Sequence, residues 1–351
     1  MSIELFKNHL KRRKLSERTY NLYCSYLKRV EEFIGKPLQQ ATRKDIETYL
    51  DNKSNKLKSA SLRVIIISLK LYFKWLKRPE IADFPLPRKE NNKLVSSDLL
   101  TEEDVLKIIN ACDNIKDKAL VSLLYDSAGR NSEIRNLKIK DVFIESNRTG
   151  YVVVDGKTGK RQIPLSFSIP ILKQWINTHP FKDNPESYLF YGDKTKKKLS
   201  SFLVRHYILR ACETAKLKKK VYPHIFRHSR LTDLDRKGLS HTAMKHYAGW
   251  TRQSNMPSVY SHFSQQDTSN LVYQADGITP RKRKKTILEP VVCIKCNTPN
   301  DKTNAYCYLC GIPLDKDTQK EYEISELLKM IIKEDPNLSK LIGERIKKLK
   351  L

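Results

Sequence analysis

Apolar residues in the first 80 positions recur every three or four places, the spacing that gathers them on one face of a helix. After Ser16, a residue type that caps helix N-termini, Tyr20, Tyr23, Leu27, Val30 and Phe33-Ile34 form such a face, and Gly35 stops it. Thr42-Arg43-Lys44-Asp45 opens a second helix with Asp45 in the capping-box place and Ile46, Tyr49 and Leu50 inside. Residues 61–77 predict a third, with Leu62, Ile65, Ile66, Leu69, Phe73 and Leu76 buried and Arg63, Lys70, Lys74 and Lys77 among them. Residues 1–80 are therefore expected as a small helical bundle. From Pro79 the periodicity fails, and Pro85, Pro87, Arg88, Lys89 and Lys93 predict a basic linker over residues 81–98.

The pattern resumes at Thr101-Glu102-Glu103-Asp104, which caps the first helix of a second domain, and residues 119–125 predict a buried helix. Two strand-like runs, Tyr151-Val152-Val153-Val154-Asp155 and Arg161-Gln162-Ile163-Pro164-Leu165, flank Gly156-Lys157-Thr158-Gly159-Lys160 and predict a β-hairpin with two lysines near its tip. Leu189-Phe190-Tyr191 reads as a short strand or turn and residues 200–217 as a helix between two lysine triplets. Helices follow from Pro223, closing with residues 269–273. The expected fold is mainly α with a small β-hairpin, an α+β chain of several domains.

Length and charge narrow the function. A chain of 351 residues can bury two or three cores. Its net charge of +28, from 67 basic against 39 acidic residues, is spread along the chain and points to a polyanionic partner. A basic surface that only aids solubility is the competing reading. Apolar runs such as Val64-Ile65-Ile66-Ile67 fall far short of the roughly 18 residues of a membrane span. With no secretory signal visible, a soluble cytoplasmic protein without membrane contact is expected. Cys24, Cys112 and Cys212 stand alone on apolar helical faces and read as small buried hydrophobes.

The candidate chemistry lies between Pro223 and His262. His224 and Arg227, three apart, share a helix face and can address one anion. Tyr260 follows. A phenol with a pKa of roughly 10 attacks only where cations hold the electrophile and a base takes its proton, and a phosphodiester is the natural electrophile for such a set. Tyr247 and Tyr273 compete with Tyr260, though Tyr247 suits an apolar helix face. His228 reads as a buried structural histidine, and His206, His241, His246 and His262 have no assigned role.

Three blocks together resemble the tyrosine recombinases, or phage-type integrases, over residues 1 to about 275. They are Gly129-Arg130-Asn131-Ser132-Glu133-Ile134-Arg135-Asn136-Leu137, the Gly156-to-Leu165 hairpin, and His224-x-x-Arg227 with Gly249-Trp250 and Tyr260. The resemblance implies a core-binding, SAM-like DNA-binding domain at 1–80 and a catalytic domain at 99–278. It also implies a site-specific recombinase that cleaves and rejoins DNA through a 3′-phosphotyrosine on Tyr260. Arg130 and Arg227 would hold the phosphate, and Lys157, with Lys160 as competitor, would protonate the leaving 5′ oxygen. His224 would take the Tyr260 proton or donate to phosphate. Trp250 stands where many relatives have a second His; it can position but not shuttle a proton. Glu133 would anchor Arg130. Partners would be double-stranded DNA carrying specific recombination sites, a four-way junction and a homo-tetramer, with no cofactor for the chemistry. A DNA-binding accessory protein that no longer cuts and a type IB topoisomerase-like enzyme are the alternatives.

Beyond Pro280, the five cations 281–285 predict a flexible basic tether over 279–290. Cys293-x-x-Cys296 and Cys307-x-x-Cys310 follow, two knuckles able to hold a structural Zn²⁺ in a ribbon over 291–315, with disulfides the alternative. Residues 316–351 read as an amphipathic helical tail, for core packing or a partner.

Overall fold

A computed structural model of the chain describes residues 2–88, 96–146, 148–156, 159–260, 269, 272–273, 276–278 and 286–334. Lys157, His262, part of the expected linker, the cationic run 281–285, most of the helix expected at 269–273 and the tail beyond residue 334 lie outside them. The chain divides into two compact units, Met1–Lys93 and Leu94–Leu351. No described helix is long and apolar enough to cross a membrane.

The first unit contains α1 (Ile3–Arg12), α2 (Glu17–Ile34), α3 (Arg43–Ser54) and α4 (Ser59–Trp75). Ser16 caps α2, Gly35 ends it in a left-handed conformation, and Thr42 with Asp45 forms a full capping box on α3. Phe6, Leu27, Val30, Ile46, Leu69 and Phe73 are fully buried in the shared core. The expected linker starts differently. Pro79–Ala82 forms a 3-10 turn that buries Ile81 and Ala82 in that core. Arg43 secures this strap, donating to the carbonyls of Glu80 at 2.8 Å and Asp83 at 3.2 Å while its guanidinium lies 4.7 Å from the Phe84 ring centre.

The second unit is mainly helical around a three-stranded antiparallel sheet. In order it comprises α5 (Glu102–Asn110), α6 (Ile115–Asp126), α7 (Asn131–Asn136), β1 (Val142–Ile144), β2 (Gly150–Gly156), β3 (Gly159–Leu165), α8 (Ile169–Asn177), α9 (Ser201–Thr214), α10 (Pro223–Arg236) and α11 (His241–Ala248). The hairpin adds a third strand, since β1 pairs with β2 from Val142 opposite Val152. Leu189-Phe190-Tyr191 is no regular strand: Leu189 and Phe190 are fully buried, and Trp175 of α8 donates its indole N–H to the Leu189 carbonyl at 2.9 Å.

One buried carboxylate fixes the frame around the candidate site. Asp126, at the end of α6, accepts from the backbone N–H groups of Ser166 (2.8 Å) and Ser168 (3.1 Å), from both their hydroxyls, and from Arg230 of α10. Its own carbonyl accepts the Tyr247 hydroxyl from α11. Three helices are thus tied to the residue that immediately precedes the Ser127–Arg130 corner. A buried carboxylate with so many donors is well compensated, and removing it would strand several polar groups.

At the C-terminal end the expected ribbon is docked, held by residues 286–290 of the expected tether, of which 279–285 lie outside the described residues. Leu288 is buried with the core of the second unit, Ile287 N–H donates to Glu102 at 3.0 Å, and Arg148 pairs with Glu289 at 3.4 Å. The two short strands β4 (Val291–Val292) and β5 (Pro299–Asn300) pair, β5 packs beside α8, and Thr303 meets Lys118 of α6 at 3.4 Å. Leu288, three residues after the basic run 281–285, supplies an anchor within the segment that composition alone assigned to a tether. The last described helix, α12 (Lys316–Glu334), leaves Ile324, Leu327 and Met330 exposed.

Candidate active site

The site is assembled where the α6–α7 corner, the hairpin, α10 and the α11 terminus meet. Ala128 sits at φ 46°, a conformation that a non-glycine residue adopts only when its surroundings hold it, and it is fully buried. Its carbonyl accepts Arg227 Nη1 at 2.6 Å. Arg227 Nη2 donates to the Ala248 carbonyl at 2.8 Å, while Arg130 Nη2 donates to the next carbonyl, Gly249, at 3.3 Å. Consecutive carbonyls of one helix terminus therefore bring two guanidiniums side by side. Arg227 is only 2% exposed, whereas 27% of the Arg130 side chain is open. Burial and the neighbouring Arg130 lower the Arg227 pKa to about 10, so it remains charged at neutral pH.

Glu133 organises the rest. It accepts Arg130 N–H at 2.8 Å and Arg130 Nη1 at 2.7 Å, and then both terminal nitrogens of Arg161 at 3.0 Å each. Burial pushes this carboxyl up, but the bonds from Arg161 and Arg130 outweigh it and hold its pKa below the usual glutamate value. One anion is thus shared by two cations, and with Arg227 the cluster keeps an excess of two positive charges. Gly249 closes it at φ 65°: a Cβ there would come within 2.6 Å of the Arg161 guanidinium carbon. Gly156, the last residue of β2, is equally tight, since a Cβ would meet Glu133 Oε1 at 2.5 Å. β2 therefore ends against the Glu133–Arg161 pair. Lys160 is exposed.

Tyr260 follows a 3-10 turn, Met256–Val259, and is only 3% exposed. Its ring stacks between Trp250 at 5.6 Å and His228 at 5.5 Å, and its hydroxyl lies 2.9 Å from His228 Nδ1. Arg227 lies 5.3 Å from the Trp250 ring centre, so the phenol, indole and guanidinium form one stack. Burial raises the Tyr260 pKa, partly offset by Arg227 and Arg130. His224 touches His228 edge to face at 4.6 Å and keeps exposed surface. Desolvation by the surrounding protein, then Arg227 and Arg130, lowers its pKa. Of the competing phenols, Tyr247 is committed to the Asp126 carbonyl and Tyr273 is 46% exposed.

Among the expected site residues, Arg130, His224, Arg227, Trp250 and Tyr260 come together here, and Lys157 lies outside the described residues. His224 is expected as acceptor of the Tyr260 proton or donor to phosphate and His228 as a buried structural histidine; the hydroxyl contact belongs to His228. Both lie on the α10 face that continues to buried Leu231, so position alone could not separate them. Arg161 was not singled out. Its signal is strand alternation: it shares a face of β3 with buried Ile163 and Leu165, a place where an arginine needs a carboxylate partner.

A second constellation lies in the docked ribbon. The sulfurs of Cys293, Cys296, Cys307 and Cys310 lie within 4.8 Å of one another, with Cys293–Cys310 at 3.5 Å and Cys296–Cys307 at 3.6 Å. Four thiolates at about 2.3 Å from a tetrahedral Zn²⁺ would be about 3.8 Å apart, so the set fits that ion. Asn300, fully buried, points its amide at Cys307 Sγ at 3.5 Å. Cys112 and Cys212 are buried elsewhere, which raises their thiols to about 12 and about 11.

Comparison with known proteins accounts for this arrangement. The phage integrase family matches residues 98–267, and the phage integrase N-terminal SAM-like domain matches residues 3–80. The tyrosine recombinase XerA of Pyrococcus horikoshii is 31% identical over 247 residues, covering 68% of this chain and 80% of the relative. The chain belongs to the phage integrase family of tyrosine recombinases. A tyrosine recombinase of Thermosipho africanus is 29% identical over 287 residues, 77% of this chain and 98% of its own. The fold is shared with XerH bound to its difH substrate before cleavage (TM-score 0.57, 22% identity, 74% of this chain and 80% of that one). It is also shared with a lambda integrase tetramer bound to a Holliday junction (TM-score 0.57, 20% identity, 72% and 77%). As a tyrosine recombinase the chain is an enzyme of DNA strand cleavage and rejoining.

Proposed function

We propose that this recombinase cuts specific sites in duplex DNA through attack by Tyr260 on phosphorus, leaving a 3′-phosphotyrosine and a free 5′ hydroxyl. The observation that carries this reading is the stack of Tyr260 on Trp250 and of Trp250 on Arg227, with Arg130 anchored one carbonyl away. The two guanidiniums bind the non-bridging oxygens and meet the charge that gathers there in the transition state. His224, beside both and open to solvent, donates to a phosphate oxygen. Trp250 positions the phenol and offers its indole N–H. Lys157 protonates the departing 5′ oxygen; the residue before it, Gly156, ends β2 against Glu133. The phosphotyrosine conserves the energy of the broken bond, so religation needs no nucleotide.

Two copies on each of two sites would form a tetramer that exchanges strands through a four-way junction, as the lambda integrase tetramer's bound junction suggests. The four cysteines hold one structural Zn²⁺: four thiolates leave no position for water or substrate. A paired-site plasmid assay tests the reading. Site-dependent deletion or inversion is expected; relaxation of supercoils without any specific site would favour a topoisomerase-like enzyme, and binding without strand cleavage an accessory protein.

A further inference from the structure

The resemblance gives His224 two roles, acceptor of the Tyr260 proton or donor to phosphate, and the phenol's hydrogen bond goes to His228 instead. We infer that His228, through Nδ1, takes the Tyr260 proton during cleavage and returns it during religation; the inference rests on Tyr260 being the nucleophile.

The geometry is direct. His228 Nδ1 lies 2.9 Å from the Tyr260 hydroxyl oxygen, and the two rings are inclined by 29°. For that nitrogen to accept, the imidazole must be neutral with its proton on Nε2. Its surroundings enforce neutrality: desolvation first, then the charges of His224 and Arg227, lower its pKa to about 4. His224, by contrast, reaches His228 only through an edge-to-face contact, its ring centre 4.6 Å away. The helix thus presents two imidazoles in series, the inner one on the phenol and the outer one on the open side of the pocket. The scissile phosphodiester brings a negative charge to this pocket. That charge favours an imidazolium, so substrate binding itself raises the basicity of the acceptor.

The step balances as follows. The Tyr260 O–H bond breaks and its proton passes to His228 Nδ1. The freed oxygen pair forms the O–P bond. The P–O5′ bond breaks, and its electron pair leaves on O5′, which takes a proton from the general acid. Religation runs the same transfers backward, so one residue serves both directions.

His228→Asn tests this, because its amide oxygen can still accept near the Nδ1 position but cannot carry a proton. Adduct formation is measured in a single turnover with full-length protein on a nicked suicide substrate, alongside DNA affinity. The expected result is a rate lower by about 10²–10⁴-fold with unchanged affinity. Replacing Tyr260 by 3-fluorotyrosine in that variant should recover much of the loss, because a more acidic phenol needs its base less; a residue that only packs against the ring would give no such recovery. His228→Gln is measured in parallel in case the shorter side chain impairs folding. A wild-type rate in either folded variant, or no greater gain from fluorotyrosine in the variant than in wild type, overturns the inference. An adduct in Tyr260→Phe would instead overturn the nucleophile assignment beneath it.

Discussion

Arg161 donates both terminal guanidinium nitrogens to the two carboxylate oxygens of Glu133, at 3.0 Å each, with 8% and 2% of the side chains exposed. The consequence is electrostatic. Without Arg161, Glu133 would pair with Arg130 alone and cancel the charge that the phosphate needs. Arg161→Met should therefore slow adduct formation by roughly 10–100-fold and destabilise the second unit by about 3–5 kcal/mol, the usual cost of breaking a buried pair. Arg161→Lys should recover only part of both, since an ammonium cannot bridge two oxygens. Single-turnover cleavage and thermal melting check this. Full activity in a folded Arg161→Met protein would remove the residue from the site.

Gly249→Ala places a methyl where the Arg161 guanidinium stands and demands φ 65° from an alanine. A loss of about 1–3 kcal/mol is expected from the backbone alone. Cleavage should fall further than stability, because both anchoring carbonyls belong to this terminus. Comparing the melting temperature with the cleavage rate separates the two effects.

Acid should weaken the fold before carboxylates titrate. The His228 and His224 pKa values are lowered in the folded protein, whereas both rings in the unfolded chain take protons near pH 6.5. Their contribution is present above that pH and is lost as pH falls towards 4, on the order of 2 kcal/mol for His228. Denaturant melts between pH 7 and 4.5 should show the decline, and His228→Asn should make it shallower. An unchanged slope would mean that His228 is protonated in the folded state.

The docked ribbon changes what metal removal should do. Residues 286–334 hold six Lys and eight Asp or Glu within a chain of net charge +28, so this segment brings no net positive charge to a duplex. It is joined to the catalytic core through Leu288 and Glu102. Chelation, or Cys307→Ser with Cys310→Ser, should lower the melting temperature of the second unit while leaving its DNA affinity at low temperature nearly unchanged. Leu288→Ala should cost about 2–5 kcal/mol. Metal analysis giving less than one zinc per chain, or a melting curve indifferent to chelation, would dissolve the link.

Much of this was legible in the sequence because local rules and tertiary needs agree. Ser16, Gly35, Thr42 and Asp45 delimit helices where caps are expected, and the pair His224–Arg227 faces one site because three residues make most of a helical turn. What escaped depends on contacts between distant segments. Leu288 becomes a core residue only by meeting a domain that ends before it, and a proline-rich start to a linker becomes a strap only because Arg43 waits for its carbonyls. The choice between His224 and His228 turns on where Tyr260 lands, 32 residues later than His228.

The most direct measurement of the central claim is the chemical identity of the DNA attachment. Full-length protein is incubated with a nicked suicide substrate, digested, and the DNA-linked peptide sequenced by mass spectrometry, with Tyr260→Phe and Tyr273→Phe in parallel. The account requires a phosphotyrosine at Tyr260, no adduct in Tyr260→Phe and an intact adduct in Tyr273→Phe. An adduct that persists in Tyr260→Phe and disappears in Tyr273→Phe would contradict it.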